Sequence, residues 1–445
     1  MVLICLLWFL VLYFFAYRLA KNHDFFSPFR FIPFKFALLN LPFLLLITIS
    51  PKSFYRAILE VCNTDLDTAV LKYTIVQTVA FISLIAGMYA YVKWKGYLRL
   101  SKGSMKEYSY NYKTVKSIAL GLLIIGLGAY SVFIYRIGGV SYLLNHLDKR
   151  VELQSGQYVL QLLGFLSYSV LFFLLCIKLR NKKSDKVLTV VSLLIAVLVF
   201  SSFGARKNAI TLIIMVIVGY HYIIKPITFT LKNQITFGVL SSALVFYILI
   251  VPVLRKKDGI HRIGTEQVDY AKVFNVQKLI YNTSYTYIDI FAANYFNRDN
   301  AWYMAGFTDP VKIAFTKGDK SVAPPMDQGV YFWNIVKQKK DFKPSIPRNE
   351  LEKNSWPIEN FGFSYANFLL PGVLIFFFLQ GLVFSYFYGL LKREAANPVF
   401  IYLYVFIIFN FNFSNLRLVS FVMILPFAVV SCYMLRSARI KTTDS

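Results

Sequence analysis

Long apolar runs constrain this chain more than any other feature of its sequence. A helix needs roughly 20 apolar residues to cross a bilayer, and the chain reaches or approaches that length many times. Only 16% of its 445 residues are charged and 57% are hydrophobic, which excludes a soluble fold of this size. The sequence therefore predicts an all-α polytopic membrane protein with about eleven transmembrane helices, within a range of ten to twelve. The predicted spans are Val2–Leu19, Phe31–Ile49, Ala69–Val92, Val115–Ile134, Tyr158–Ile177, Val187–Phe203, Ala209–Ile224, Ile235–Leu254, Phe363–Leu391, Val399–Phe413 and Leu418–Leu435.

The loops between these spans differ in their content of lysine and arginine. If the C-terminus, with Arg436 and Arg439, is cytoplasmic, the cation-rich loops all face the cytoplasm. This pattern predicts an odd number of spans with the N-terminus outside. Topology then explains much of the net charge of +26, so that charge does not indicate a nucleic-acid partner. Because no basic segment precedes Val2–Leu19, we interpret it as a retained span rather than a signal peptide.

One long segment interrupts the spans. Residues 255–360 form a predicted extracytoplasmic loop between spans one to eight, in residues 1–254, and spans nine to eleven with the cytoplasmic tail, in residues 361–445. We interpret the whole as a single integral membrane domain. Apolar residues in Tyr270–Phe296 have helical spacing, so we expect short helices in this loop and a helix lying along the membrane surface. The many aromatic residues of the loop argue against disorder.

A short turn between two spans places Arg206 at the predicted outer edge of the membrane. The turn reads SSFGARKNAI over residues 201–210, which is too short to carry the guanidinium into bulk water. A guanidinium matches phosphate oxygens by two-point contact, so we predict that Arg206 takes part in catalysis on an anionic substrate. The alternative is an arginine that snorkels to a lipid phosphate.

The densest outer charge cluster follows the eighth predicted span. It contains Arg255, Asp258, His261 and Arg262. We predict that Arg255 is a second catalytic cation, that Asp258 and His261 carry protons, and that Arg262 contacts the substrate. The alternative is a cluster that anchors the helix end, with a structural histidine.

Further polar residues flank the outer ends of the spans. A ring of helices around a cavity would bring them towards Arg206, where we expect them to bind a diphosphate or a glycan. The alternative for each of them is an ordinary surface role. They are Tyr135, Arg136, Arg150, Lys207 and Arg417.

The sequence offers little for a metal or a cofactor. Asp65 and Asp67 form a D-x-D pair, which can hold a divalent cation, but capping of the third span is the simpler interpretation. The four cysteines have no pair or metal spacing, and no nucleotide-binding or zinc motif is present in the sequence. We therefore predict no metal and no cofactor.

Four stretches resemble Wzy-type O-antigen or capsular oligosaccharide repeat-unit polymerases. The first, Tyr135–Tyr158, has Gly-Gly and Gly-x-Tyr elements, and the second is the turn SFGARKNAI. The third is Arg255 directly after the eighth span, and the fourth is Phe361–Gly381, which is similar to the family's aromatic-Asn-Pro-Gly entry to a span. Some members place a glycine eleven residues after an arginine in outer loops, and no arginine here has that spacing. Assignments at that motif therefore do not transfer to this chain.

The resemblance implies a reaction, a location and partners. A glycan on undecaprenyl diphosphate would move to a hydroxyl of the next lipid-linked repeat unit, at the outer face of a bacterial cytoplasmic membrane. It also implies a GT-C-like glycosyltransferase architecture, contact with membrane lipid, and a chain-length regulator and a flippase as partners. Two alternatives stay open at this point. One is a ligase that moves the glycan to a different acceptor, and the other is a flippase or transporter, which would need charged residues within its spans.

Overall fold

The protein is described here by a computed structural model that covers residues 1–49, 53–95, 108–154, 156–204, 206–227, 230–254, 273, 275–315 and 323–440. Within these ranges the chain is helical and forms no strand, and its one β-bridge joins Tyr110 and Arg439. The helices are α1 Val2–Leu19, α2 Pro28–Ile49, α3 Ser53–Cys62, α4 Leu66–Lys95, α5 Tyr112–Ile137, α6 Val140–Asn145, α7 Arg150–Gln154, α8 Gly164–Arg180, α9 Lys183–Ser202, α10 Arg206–Gly219, α11 Leu231–Leu254, α12 Val276–Thr283, α13 Thr286–Tyr295, α14 Pro310–Phe315, α15 Gly329–Gln338, α16 Asn360–Arg393, α17 Pro398–Asn410 and α18 Asn415–Ser437.

The helix lengths confirm the prediction of a polytopic membrane protein. Ten helical stretches among the described residues are long and apolar enough to cross a membrane. The predicted tenth span corresponds to α17, which is apolar but has only 13 residues. That is shorter than the roughly 20 residues that a crossing helix needs.

The chain divides into two compact units. Unit 1 comprises Met1–Leu100, Ile280–Gly389 and Asn410–Val422, and unit 2 comprises Ser101–Leu279, Leu390–Phe409 and Met423–Ser445. Unit 1 thus combines the first spans with most of the long loop. Unit 2 contains the middle spans, α5 to α11.

The core of unit 2 joins α5, α8, α9 and α10. Phe133, Leu166 and Ala196 are fully buried there, and Leu143 of α6 packs into the same cluster. Its charged contacts lie near helix ends. Lys116 pairs with the buried Asp185 at 2.8 Å, and Arg439 pairs with Glu394 at 2.9 Å.

In unit 1, α4 and α16 approach so closely that glycine is required on both helices. A Cβ atom on Gly87 would meet the carbonyl oxygen of Phe378, and one on Gly381 would meet the carbonyl oxygen of Leu84. Ser83 adds a hydrogen bond of 2.6 Å to the carbonyl of Leu374. Small residues allow such close backbone contact between membrane helices, where lipid provides no hydrophobic driving force for association.

The part of the long loop that belongs to unit 1 folds around aromatic side chains. Phe332 lies 5.4 Å from Phe291 and 5.3 Å from Trp302 between ring centroids, and Trp356 lies 5.9 Å from Phe291. The helical spacing predicted for Tyr270–Phe296 is present as two short helices, α12 and α13. Instead of lying only along a surface, α13 buries Ile288, Ile290 and Phe291 and packs against α2, α3 and α4.

Candidate functional site

The helix α16 is broken, and its first segment folds back on its second. Phe368 and Leu369 have non-helical backbone angles, with φ of 53° at Leu369. Asn360 nevertheless donates a hydrogen bond of 3.0 Å to Gln380, and the rings of Phe363 and Phe376 lie 5.5 Å apart. Residues 360–368 and 370–393 therefore run antiparallel, as a helical hairpin. The predicted ninth span, Phe363–Leu391, lies within a helical stretch long and apolar enough to cross a membrane, but this stretch is not one continuous helix.

This hairpin places the start of a helix in the interior of unit 1. Eight residue steps separate Asn360 from the break, which corresponds to about 12 Å of helix. That is a large fraction of the roughly 30 Å hydrocarbon thickness of a bilayer. Asn360 is buried. Its partner Gln380 in turn donates a hydrogen bond of 2.9 Å to the carbonyl of Phe411. Broken helices of this kind are tolerated in membrane proteins where they are buried in protein or line a cavity.

The loop before the hairpin is hydrogen-bonded to the end of the hairpin's first segment. The backbone N–H groups of Trp302 and Tyr303 donate to the carbonyls of Ala366 and Asn367 at 2.8 and 3.2 Å. The N–H of Met304 donates to the side chain of Asn367 at 2.8 Å. These contacts satisfy the last carbonyl groups of the first segment, which the helix itself leaves unpaired. The loop and the hairpin thus form one structural element.

A group of charged residues surrounds the interior start of the hairpin. Glu359, the residue before Asn360, accepts hydrogen bonds from Arg417 at 3.4 Å and from Asn412 at 3.2 Å. Lys35 of α2 lies within electrostatic reach of both Glu359 and Arg417. We call Lys35, Glu359 and Arg417 the interior ion group. Lys35 lies inside the helix Pro28–Ile49, within the predicted second span.

The ion pair of the interior ion group is partly exposed. Glu359 exposes 32% of its side-chain surface and Arg417 exposes 17%. Both side chains nevertheless lie beside Asn412 and Asn360, which are buried. Charged groups at such a depth are costly unless they are paired or line a polar cavity, and they mark functional sites in membrane proteins by default. The arrangement is suited to hold an anion against two cations.

A hydrogen-bond network lies next to this group. Asn40 of α2 donates to the hydroxyl of Tyr13 at 2.8 Å and accepts from Tyr73 at 3.1 Å and from Thr286 at 2.8 Å. The network joins α1, α2, α4 and α13 through side chains that are buried. Asp289, one turn along α13, lies within electrostatic reach of both tyrosines and of Glu359.

Several buried polar atoms around the hairpin have no hydrogen-bond partner among the described residues. They are Asp289 Oδ1, Asn360 Oδ1 and Trp302 Nε1. Each belongs to the hairpin or lies against it, since the Asp289 carboxyl lies close to the backbone of Gly362 and the backbone of Trp302 donates to Ala366. Buried polar groups are nearly always paired, so such a concentration indicates a place where water or a ligand completes the bonding.

Arg206 lies at the turn between α9 and α10, at one end of unit 2. Gly204 has a φ of 62°, which turns the chain between α9 and α10, and Arg206 is the first residue of α10. Its guanidinium donates to the carbonyl of Ile248 in α11 at 2.8 Å. The hydroxyl of Tyr247 donates a hydrogen bond of 3.0 Å to Ser201, close to the same turn.

Other predicted site residues of unit 2 lie near the same end. Arg136 is exposed in the last turn of α5 and donates to Gln157 at 3.3 Å, and Tyr135 beside it is 87% exposed. Phe133, one turn before Arg136, contacts Phe203 at 5.3 Å, next to the Arg206 turn. Lys207 and Arg150 are half-buried. The remaining candidate of the described chain, Arg417, belongs to unit 1.

Four predicted residues lie outside the described ranges: Arg255, Asp258, His261 and Arg262.

The D-x-D pair has a structural role at the start of α4. Asp65 accepts from the backbone N–H of Thr68 at 3.0 Å and from its hydroxyl at 2.6 Å. This is the side-chain capping that the sequence favoured. Among the described residues, no group of three or more His, Cys, Asp and Glu side chains is placed to hold a metal ion.

Sequence reasoning missed Lys35, Glu359 and Asp289. One available signal was the lysine after Pro33 in an otherwise apolar run, and another was the acid immediately before the ninth span. Comparison with known proteins adds no relative, because no family model, curated protein or solved structure matches the chain.

Proposed function

We propose that this protein joins oligosaccharide repeat units that are carried on undecaprenyl diphosphate, as a membrane-embedded polymerase. The interior ion group carries this proposal. Lys35 and Arg417 offer two cations close together in unit 1, beside a carboxylate that orients one of them. The motif resemblance supports the same activity independently, because Arg206 lies in one of its stretches.

The chemistry of the reaction requires such cations. When the glycan leaves its carrier, negative charge develops on the diphosphate oxygens. Fixed arginine and lysine side chains in a water-poor site stabilise that charge without any reorganisation during the reaction. Removal of one such contact typically slows an enzyme by about 10²- to 10³-fold. The ion pair with Glu359 holds Arg417 in place for this role.

A polymerase must bind two lipid diphosphates at once, one on the donor and one on the acceptor. The chain has a cationic region in each unit, with Arg417 and Lys35 in unit 1 and Arg206 with Arg136 in unit 2. A ligase needs only one undecaprenyl diphosphate site, together with a site for its own acceptor.

The broken helix favours one further candidate, a flippase or transporter of lipid-linked oligosaccharide. Discontinuous helices and charged residues at depth are typical of substrate sites in secondary transporters. Such a protein would move the lipid-linked unit across the bilayer and would form no glycosidic bond.

One reconstitution experiment separates these functions. The purified protein in lipid vesicles receives lipid-linked repeat units extracted from a deletion strain of the source organism. We expect a ladder of longer glycans and release of undecaprenyl diphosphate in step with each bond formed. A ligase would make no ladder from repeat units alone. Translocation of the lipid-linked unit without any new bond would contradict the polymerase and support the transporter.

Variants of the two arginines locate the site in the same assay. Arg417→Ala and Arg206→Ala are expected to lose the ladder, whereas Arg298→Ala serves as the matched control. Arg298 is an exposed arginine of the same unit as Arg417. Full ladders from both site variants would overturn the assignment of the cationic regions.

A further inference from the structure

Asp289 is half-buried, and its carboxyl group is not part of the interior ion group. Its Oδ1 oxygen is buried and has no hydrogen-bond partner among the described residues, and the carboxyl group lies close to the backbone of Gly362. The side chain therefore lies against the first segment of the hairpin, and its Oδ1 oxygen has no partner there. Glu359 differs, because one of its oxygens receives Arg417 and the other receives Asn412.

The groups that face Asp289 come from every neighbouring element. The hairpin side provides Glu359, whose charge opposes ionisation of Asp289. From α1 and α4 come the hydroxyl groups of Tyr13 and Tyr73, and α13 itself contributes Tyr287. The nearest groups of α2 are the amide of Asn40 in the network and Lys35, which faces Glu359. On the α3 side, the thiol of Cys62 contacts the carbonyl of Phe291 at 4.0 Å.

We propose that Asp289 is the proton acceptor for the attacking hydroxyl group of the acceptor sugar. This inference rests on the proposed polymerase function. The acceptor oxygen forms a new bond to the anomeric carbon of the donor sugar, and its proton moves to Oδ1 of Asp289. The bond between that carbon and the phosphate oxygen breaks, and undecaprenyl diphosphate leaves with the electron pair. Asp289 then returns its proton to water.

The surroundings suit Asp289 to this role. Burial, with a smaller contribution from the charge of Glu359, raises the pKa of Asp289 well above its ordinary value. A carboxylate with a raised pKa binds a proton more tightly, so this shift makes the ionised form of Asp289 a stronger proton acceptor. The ionised form accepts the proton, and it becomes populated as the pH rises through the raised pKa. The transfer rate should therefore rise with pH over that interval.

The first test compares Asp289→Asn with Asp299→Asn, an exposed aspartate of the same loop. We expect Asp289→Asn to lower kcat by about 10²- to 10⁴-fold, the usual contribution of a general base. Binding of undecaprenyl diphosphate should stay at the wild-type level, and the rise of kcat/KM with pH should disappear. A wild-type rate and pH profile in Asp289→Asn, with an active wild-type protein, would overturn the inference and leave the polymerase intact.

A second test needs no substitution and does not depend on catalysis. Dicyclohexylcarbodiimide adds to protonated carboxyl groups in apolar surroundings, so it should label Asp289 in the folded wild-type protein. Mass spectrometry of the peptide around Thr286–Tyr295 measures the labelled fraction. We expect labelling to fall as the pH rises and transfer to fall in proportion to the label. Full activity in fully labelled protein would contradict the proposal, and so would the absence of label at low pH. If the wild-type protein forms no glycan at all, the polymerase itself is refuted, and the labelling still reports on Asp289.

Discussion

The two units of the molecule place ion pairs in different surroundings. Unit 2 places the pairs Lys116–Asp185 and Arg439–Glu394 near the ends of helices. Unit 1 places Arg417 and Glu359 beside the start of a broken helix, with Lys35 close to both. Exposure does not separate the pairs, since Asp185 is fully buried whereas Arg417 and Glu359 expose 17% and 32% of their side chains. The difference lies in the second cation and the broken helix, and for this reason we propose the unit 1 pair as the site.

The largest expected effect comes from breaking the two ion pairs separately. Arg417→Ala should slow glycan transfer by about 10²- to 10³-fold, because it removes a cation aimed at the leaving diphosphate. Arg439→Ala removes an arginine from a pair of shorter distance, 2.9 Å, and should leave the transfer rate nearly unchanged. Initial rates on lipid-linked repeat units measure both. Equal losses in the two variants would show that ion pairing stabilises the fold and has no special role in unit 1.

The next effect concerns how closely the helices of each unit pack. Gly87→Ala should destabilise the protein by about 1–3 kcal/mol, as overpacking does in cores, because the new Cβ meets the carbonyl of Phe378. Gly128→Ala in α5 is the matched control, since no described atom lies within 4 Å of a Cβ there. Alanine favours helices over glycine, so the control should be neutral or slightly stabilising. Thermal unfolding in detergent would reveal the difference, and identical transitions would argue against the close contact of α4 and α16.

The smallest expected effect compares the loss of side-chain hydrogen bonds in the two units. Gln380→Ala removes two bonds, one from Asn360 and one to the carbonyl of Phe411, and Tyr247→Phe removes the bond to Ser201 in unit 2. Each lost bond should lower the free energy of unfolding by about 0.6 kcal/mol, the average for such bonds between membrane helices. Gln380→Ala should also reduce transfer, since the hairpin start positions Glu359. A stability loss without any change of rate would separate the hairpin from the site.

Much of the fold follows from the sequence because a membrane constrains it so strongly. A run such as Val2–Leu19 has few alternatives to a crossing helix, and the helix α1 has those same bounds. Asp65 was also predictable as a cap, since capping depends on residues only three positions apart.

The candidate site was less predictable because it depends on contacts between distant parts of the chain. Pro371 follows the break in the ninth span, but the reversal at Phe368–Leu369 is stabilised by contacts of the 302–304 backbone with the end of the first segment, which no local pattern connects to it. The sequence alone assigned Lys35 no role, because its neighbour Glu359 lies more than three hundred residues later in the chain.

The most direct test of the central claim is the affinity of the purified protein for undecaprenyl diphosphate, measured by native mass spectrometry. The interior ion group predicts that Arg417→Ala binds the lipid at least about tenfold more weakly than the wild type, in line with the 1.5–3 kcal/mol of a hydrogen bond to a charged group. Arg439→Ala should bind it as tightly as the wild type. Equal affinities for the wild type and Arg417→Ala would contradict the claim that this group holds the lipid diphosphate.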